Sequence, residues 1–531
     1  MNGRLRWWLL GVVPMLFVIA TSIIPTIAVV QRGLGSQTTS GGAGSATFAS
    51  VLSNPRIQRI LWESLAQATV ATGLAMAVGI AAAWTRVRIS QRFGGWAWSL
   101  AALPFVLPSV VTATGVRAVV GETSGWVLIV FVHAGINVVI VARGTAARLG
   151  SIDPAFEDAA RLAGRGRLNA AWSTSIRMSA GAVASSSLVA FVFCLTSFGI
   201  VLLLGDPTTS TVEIEIWIQA TRLTRLDVAA VLSLLQLTVV VVVMAMVSVI
   251  QRRHPAAVTS VQPRRGDRSQ RLFAGVVSTL LVAIGLVPVG GIAVRSLVVG
   301  DSWGLDHYRS LVAQVPGTTG ASTPLASLLT SAGFAVVASI VALVVGVLGS
   351  AMVSRGGRAG RLLDVALFIP LAVSSATIGF GFLIAYGGRV IDLRSSWFVV
   401  PIIEAAIAAP LVVRLMVPVI RGVPTTVVEA AAICGLGPSA RFRRVWAPLT
   451  AAALGSAAAI AFAVAFGEFG ATAFVARTAN PTLPQMIARL LSRPGEANVG
   501  AAMALATAAA AVVGVSLVVV ERAGRASALR L

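Results

Sequence analysis

"VVEAAAICGLGPSARFRRVWAPL", Val427 to Leu449, sets one acid, a run of small alanines, a glycine and a knot of arginines between two long apolar stretches. An echo stands far upstream in the same kind of setting: "FEDAARLAGRGRLNAAWSTSIRMSA", Phe156 to Ala180. The surroundings of these inserts decide the fold. The chain is 56% hydrophobic and only 11% charged over 531 residues, whereas a globular domain carries about 25% charged residues. Apolar runs long enough to cross about 30 Å of hydrocarbon as helices recur throughout. The chain reads as an all-α, polytopic membrane protein, and the inserts are two of its polar connections.

Counting apolar runs at about 20 residues each predicts about twelve spans. In the first half they fall at 7–30, 60–84, 95–119, 125–142, 178–204 and 228–250. The second half gives 272–296, 326–353, 363–386, 398–419, 450–475 and 499–520. The first run is too long for the core of a signal peptide and lacks a clear cleavage site, so it reads as retained. The net charge of +22 does not mark a nucleic-acid binder, because the arginines cluster between apolar spans instead of lining one soluble face. With Arg4 and Arg6 in the cytoplasm and the spans alternating, about two-thirds of the arginines fall on the cytoplasmic side, the asymmetry of a correct topology. Both chain termini and both inserts then lie in the cytoplasm. Every basic residue is Arg, with no Lys in the chain. A phosphate-binding P-loop needs its Lys, so any ATP that drives this protein is bound by another subunit.

The halves repeat. One offset of 271 residues carries Asp158 onto Glu429, Ser197-Phe198-Gly199 onto Glu468-Phe469-Gly470, and Thr211 onto Thr482. Since both inserts fall between the fourth and fifth spans of their half, the repeat is parallel, not inverted. Residues 1–250 form the first six-span repeat, with its insert at about 153–177. Residues 251–271 form a cytoplasmic linker, and 272–531 the second repeat, with its insert at about 424–448. Each insert reads as a short helix. Asp153, or Thr425 or Thr426, can cap its start, the alanines leave it slim, and Gly164 or Gly435 can take the left-handed position at its end.

Glu429-Ala-Ala, three residues, Gly435, nine residues, Val445-x-Ala-Pro448 resembles the EAA loop of ABC-importer permeases. The first copy, Asp158-Ala-Ala to Gly164, matches the front of that motif and departs at the rear, where Ile176-Arg177 replaces Leu-Pro. The resemblance covers nearly the whole chain and is similar to the fused thiamine and ferric-iron permeases. It implies a type I importer permease in a bacterial plasma (inner) membrane, whose coupling helices contain Glu157, Asp158, Ala159, Ala160 and Gly164, then Glu429, Ala430, Ala431 and Gly435. It further implies two ABC ATPase subunits docked on those helices, which use the ATP and Mg, and an extracytoplasmic solute-binding protein received by the loops near 206–225 and 477–497. The chain itself would bind no cofactor or nucleotide and catalyse no reaction. Thiamine and ferric iron are the favoured cargoes, with phosphonate or sulfate-like anions also open. The alternative, an ion-coupled secondary transporter, requires a midplane relay of acids or histidines and gives no reason for twin inserts.

Within the spans, Glu468 and Glu404 stand out, with Arg414 ten residues beyond Glu404. An ionised group at mid-bilayer costs about 2.5–3.5 kcal/mol on insertion scales, so it faces a bundle interior or a wet path. Glu468 and its counterpart Ser197 are the candidate path residues, and a structural hydrogen bond to a neighbouring helix is the other reading. His133, His254 and His307 show no metal-ligand spacing, and Cys194 and Cys434 make no disulfide framework.

Overall fold

The computed structural model describes residues 3–35, 48–88, 98, 100–121, 123–206, 208–253, 268–315, 323–387, 396–476 and 480–528. Almost all of these are helical, and among them the one sheet is a two-residue-per-strand hairpin pairing Val298–Val299 with Ser302–Trp303. The chain begins with α1 (Gly3–Val18), which runs through a π-turn into α2 (Ile24–Gly35). The first half continues with α3 (Pro55–Arg88), α4 (Ser109–Val120), α5 (Trp126–Leu149), α6 (Ala155–Leu162), α7 (Ala180–Leu195), α8 (Gly199–Leu204), α9 (Val212–Trp217) and α10 (Leu226–Arg253). After α11 (Arg268–Leu297) the order recurs: α12 (Pro324–Ser354), α13 (Gly357–Ala372), α14 (Ser375–Ala385), α15 (Val399–Gly422), α16 (Thr425–Ile433), α17 (Ala447–Phe466), α18 (Thr472–Val475), α19 (Leu483–Leu491) and α20 (Glu496–Ala528).

Nine helices among the described residues are long and apolar enough to cross a membrane, or eleven if each of two sharply bent pairs is one span. These eleven coincide with eleven of the expected runs. The remaining run, 95–119, is interrupted: Leu107 is extended at ψ 148 before Pro108, as a residue preceding proline tends to be. Past that proline, α4 is 12 residues long, about 18 Å of helix and short of a full crossing. Of the expected linker, residues 254–267 lie outside the described residues, and its two ends continue α10 and α11 as helix.

Contacts between helix ends fix directions within two groups of helices. Gly79, late in α3, packs on Val141, late in α5, and Gly346 of α12 packs on Val412 of α15 in the same manner. The guanidinium of Arg421 donates to the Val353 carbonyl at 3.1 Å, joining the last turns of α15 and α12. Trp84 near the end of α3 meets Phe273 near the start of α11, ring centroids 6.1 Å apart. Gly11 of α1 meets Met352 of α12. The start of α11 and the ends of α3 and α5 therefore lie together, as do α1 and the ends of α12 and α15; α6 follows from the first group and α16 from the second.

The opening helix of each half lies against the other half. Pro25 of α2 seats on Gly381 of α14, and Pro288 of α11 seats on Gly115 of α4. In both places a Cβ on the glycine would collide with the proline's backbone, so only hydrogen fits. Tyr386 strengthens one crossing by donating its hydroxyl to the Ala20 carbonyl at 2.6 Å. Small residues fill the other close approaches, including fully buried Ala335, Ala338 and Ala342 of α12 with Ala405, Ala408 and Ala409 of α15. Without water to drive helices together, such close backbone packing supplies the association energy in a bilayer.

Candidate functional site

The two inserts fold alike. Asp153 is not the N-cap expected of it: Pro154 holds that position with no side-chain cap, and the Asp153 carboxylate accepts the Ala155 amide at 2.9 Å in a turn just ahead of α6. Neither Thr425 nor Thr426 caps the second copy: α16 begins at Thr425 itself, behind Pro424, with no side-chain cap. At the other end the copies coincide. Gly164 N–H donates to Arg161 O at 3.0 Å and Arg165 N–H to Ala160 O at 3.1 Å, while Gly435 N–H donates to Ala432 O at 3.0 Å and Leu436 N–H to Ala431 O at 3.1 Å. Both glycines have left-handed backbones, φ 83° and 78°. This pair of bonds is the Schellman arrangement that ends a helix and turns the chain away.

Each insert exposes apolar side chains at matching positions. Leu162 is 91% and its counterpart Ile433 87% exposed, and Phe156 and Val427 are also largely exposed. Glu429, Ala430 and Ala159 are exposed, Glu157, Asp158 and Ala160 are partly buried, and Ala431 is turned inward. Asp158 lies 3.8 Å from Arg161 one turn on. Behind the helices, buried Ile152, Ala170 and Ala171 anchor the first insert and buried Val445 the second. Both then pass through a π-turn, Trp172–Ile176 and Phe442–Trp446.

Beyond that turn they diverge, as their sequences do. The second copy runs from Pro438 to Phe466 as one span, with Pro448 tolerated in the first turn of α17. The first bends by 80° between Asn169–Ile176 and Ala180–Leu195. At the bend the Ser179 hydroxyl donates to the Ser175 carbonyl at 2.8 Å, and the Ser179 amide is shared between the Ser175 and Ile176 carbonyls. Serine bonding back in this way competes with the helix ladder and bends it.

Ser197 and Glu468 each occupy a helix break, between α7 and α8 and between α17 and α18. The two breaks meet: the rings of the adjoining Phe198 and Phe469 lie 5.1 Å apart, and Gly467 packs on Pro108 across the halves. Both Ser197 and Glu468 retain accessible surface although protein surrounds them. The Glu468 carboxylate accepts the Ala471 amide at 2.9 Å, closing the break on itself.

Sequence reasoning passed over two buried acids of α9. Glu215 is paired with Arg56 at 3.1 Å and accepts from Gln219 at 2.7 Å, and Glu213 accepts from Gln236 at 2.7 Å. In "TVEIEIW" (Thr211–Trp217) the alternation of acids with apolar residues was the available signal, since both acids are buried. Glu404 is buried in α15, while Arg414 lies over the Phe368 ring at 3.9 Å. Among the described residues no group of three or more His, Cys, Asp or Glu is placed to hold a metal ion.

No family model matches the chain. It is 23% identical over 525 residues to the probable ABC transporter permease protein y4fN of Sinorhizobium fredii, covering 91% of this chain and 90% of that one. The thiamine transport system permease protein ThiP of Brucella suis is 26% identical over 424 residues, 75% of this chain and 74% of its own. The molybdenum transport system permease protein ModB of Escherichia coli is 29% identical over 180 residues, 31% of this chain and 78% of its own. The homologues are ABC transporter permeases, and the match along 91% of the chain supports a fused permease resembling the thiamine permease.

Proposed function

We propose that this chain is the membrane-spanning subunit of an ATP-driven importer, in which residues 1–250 and 272–531 are parallel repeats around one solute path. Two ATPase subunits dock on α6 and α16 at the cytoplasmic face, where both chain termini also lie. Glu157, Asp158, Ala159, Ala160 and Gly164 in one helix, with Glu429, Ala430, Ala431 and Gly435 in the other, present the docking surface. An extracytoplasmic binding protein delivers the solute to the opposite face, around 206–225 and 477–497. Thiamine is the leading cargo on the likeness to ThiP.

The observation that carries this reading is the pair of short helices closed by the same glycine-centred bonds and exposing apolar side chains at equivalent positions. Apolar groups left in water at two matched places mark surfaces that a partner covers. Closure of the ATPase pair would push on both helices, and each leads through its π-turn into the helix whose far end holds Ser197 or Glu468. Glu429→Lys combined with Asp158→Lys tests it. ATP-dependent uptake and copurification of the ATPase should both be lost while the permease remains in the membrane; full uptake in the double variant overturns the docking assignment.

A further inference from the structure

Between α11 and α12 the chain builds a small, firmly tied structure. Its hairpin sets Trp303 directly opposite Val298, and the Gly304 amide donates to the Leu297 carbonyl at 2.8 Å, folding the second strand back onto the end of α11. One helical turn follows, Asp306–Arg309. Its His307 ring bonds the Val298 carbonyl at 2.9 Å and seats on Gly500 of α20. The Tyr308 and Ser296 hydroxyls share a bond of 2.8 Å, and the Ser310 hydroxyl donates to the His307 carbonyl at 2.7 Å. His307 and Leu311 are buried. These bonds hold the segment in one place, yet Trp303 is 72%, Val312 64% and Leu305 56% exposed.

Two contacts fix how deep these side chains sit. The exposed apolar face of α11, through Val276, Leu280, Val287 and Val294, belongs to lipid because α11 is one of the spans. Val298 is four residues past Val294, about 6 Å along the axis, and Trp303 stands beside it at about 5 Å, the spacing of paired strands. On the other flank, His307 lies against Gly500, four residues inside the start of α20 at Glu496, again about 6 Å. A hydrocarbon core of about 30 Å within about 40–45 Å in all leaves a headgroup layer of about 5–7 Å on each side. The segment therefore hugs the ends of the spans at headgroup depth instead of projecting into water. Tryptophan suits that layer, since its ring is apolar and its indole N–H can bond a headgroup oxygen. Arg295, exposed in the last turn of α11, adds a guanidinium at the same level for lipid phosphate.

We propose that residues 298–312 are an interfacial anchor, with Trp303, Leu305 and Val312 seated among phospholipid headgroups at the end of α11 farthest from the linker. The anchor fixes the depth of α11, the helix that reaches across onto the first half through Pro288 and Gly115. It stands on the spans alone and holds whatever solute the chain carries.

The test uses the full-length chain with Cys434→Ser, leaving the buried Cys194 as its other thiol, and Ser302→Cys carrying an NBD fluorophore. It is reconstituted into vesicles of phosphatidylethanolamine and phosphatidylglycerol. Lipid bearing a nitroxide on its headgroup should quench the probe at least about twofold more than lipid with the nitroxide deep in its chain, or than a water-soluble nitroxide. Trp303→Asp with Leu305→Asp should abolish that preference, and Trp303→Tyr alone should keep it. Unchanged melting of the detergent-purified variants shows that the bundle is intact. Strongest quenching by the water-soluble nitroxide overturns the anchor and leaves the segment to a partner arriving from solution. Strongest quenching by the deep nitroxide overturns it as well, as does a preference that survives the double aspartate variant.

Discussion

A handful of glycines carry more of this molecule than their size suggests. Gly164 and Gly435 hold left-handed backbones that cost an L-residue about 1–2 kcal/mol. Alanine at either position should fray the end of its short helix and lower uptake severalfold, with membrane levels on a blot unchanged. Gly115 and Gly381 are constrained from outside, by proline backbone packed on their Cα atoms. Valine at either should weaken a helix crossing by about 1–3 kcal/mol, read as a lower melting temperature of the purified chain. The cap glycines were legible in the sequence, because glycine after an alanine-rich acidic turn has a local cause. The crossing glycines were not, because nothing near Gly115 in sequence announces Pro288. Glu213 escaped for a related reason: its partner Gln236 comes from a different helix, and a six-residue helix gives too short a pattern to place a face.

At the scale of elements, α6 and α16 came through clearly, since an acidic, alanine-rich insert between apolar runs can be little else than a short exposed helix. Their exits came through in part. The missing proline of the first copy pointed to a different departure, but the 80° bend depends on how Ser179 shares its hydrogen bonds, which composition does not encode. The span 95–119 shows the limit of counting apolar residues, because hydropathy is blind to a backbone turned by Pro108. A partner seated on these helices must cover Leu162 and Ile433. Burying one such side chain is worth about 1.5–3 kcal/mol, so Ile433→Asp should weaken ATPase copurification tenfold or more, and Leu162→Asp should do likewise. Comparing the two variants measures whether the bent copy bears as much force as the straight one.

For the whole molecule, periodicity states that a helix crosses the bilayer but not which neighbour it chooses. The exchange of opening helices was therefore invisible until the fold placed Pro25 on Gly381 and Pro288 on Gly115. It makes the two halves interdependent. Cutting the chain between residues 254 and 267 should yield two fragments that copurify when expressed together and aggregate when expressed singly, as size-exclusion profiles would register. Removing residues 1–35 should lower the melting temperature of what remains, because α12 and α14 lose their cover. Biosynthesis feels the same arrangement. The first helix leaves the ribosome roughly 350 residues ahead of the groove it will occupy, so it must wait in the lipid beside strangers, and maturation of this chain is set by the arrival of its second half.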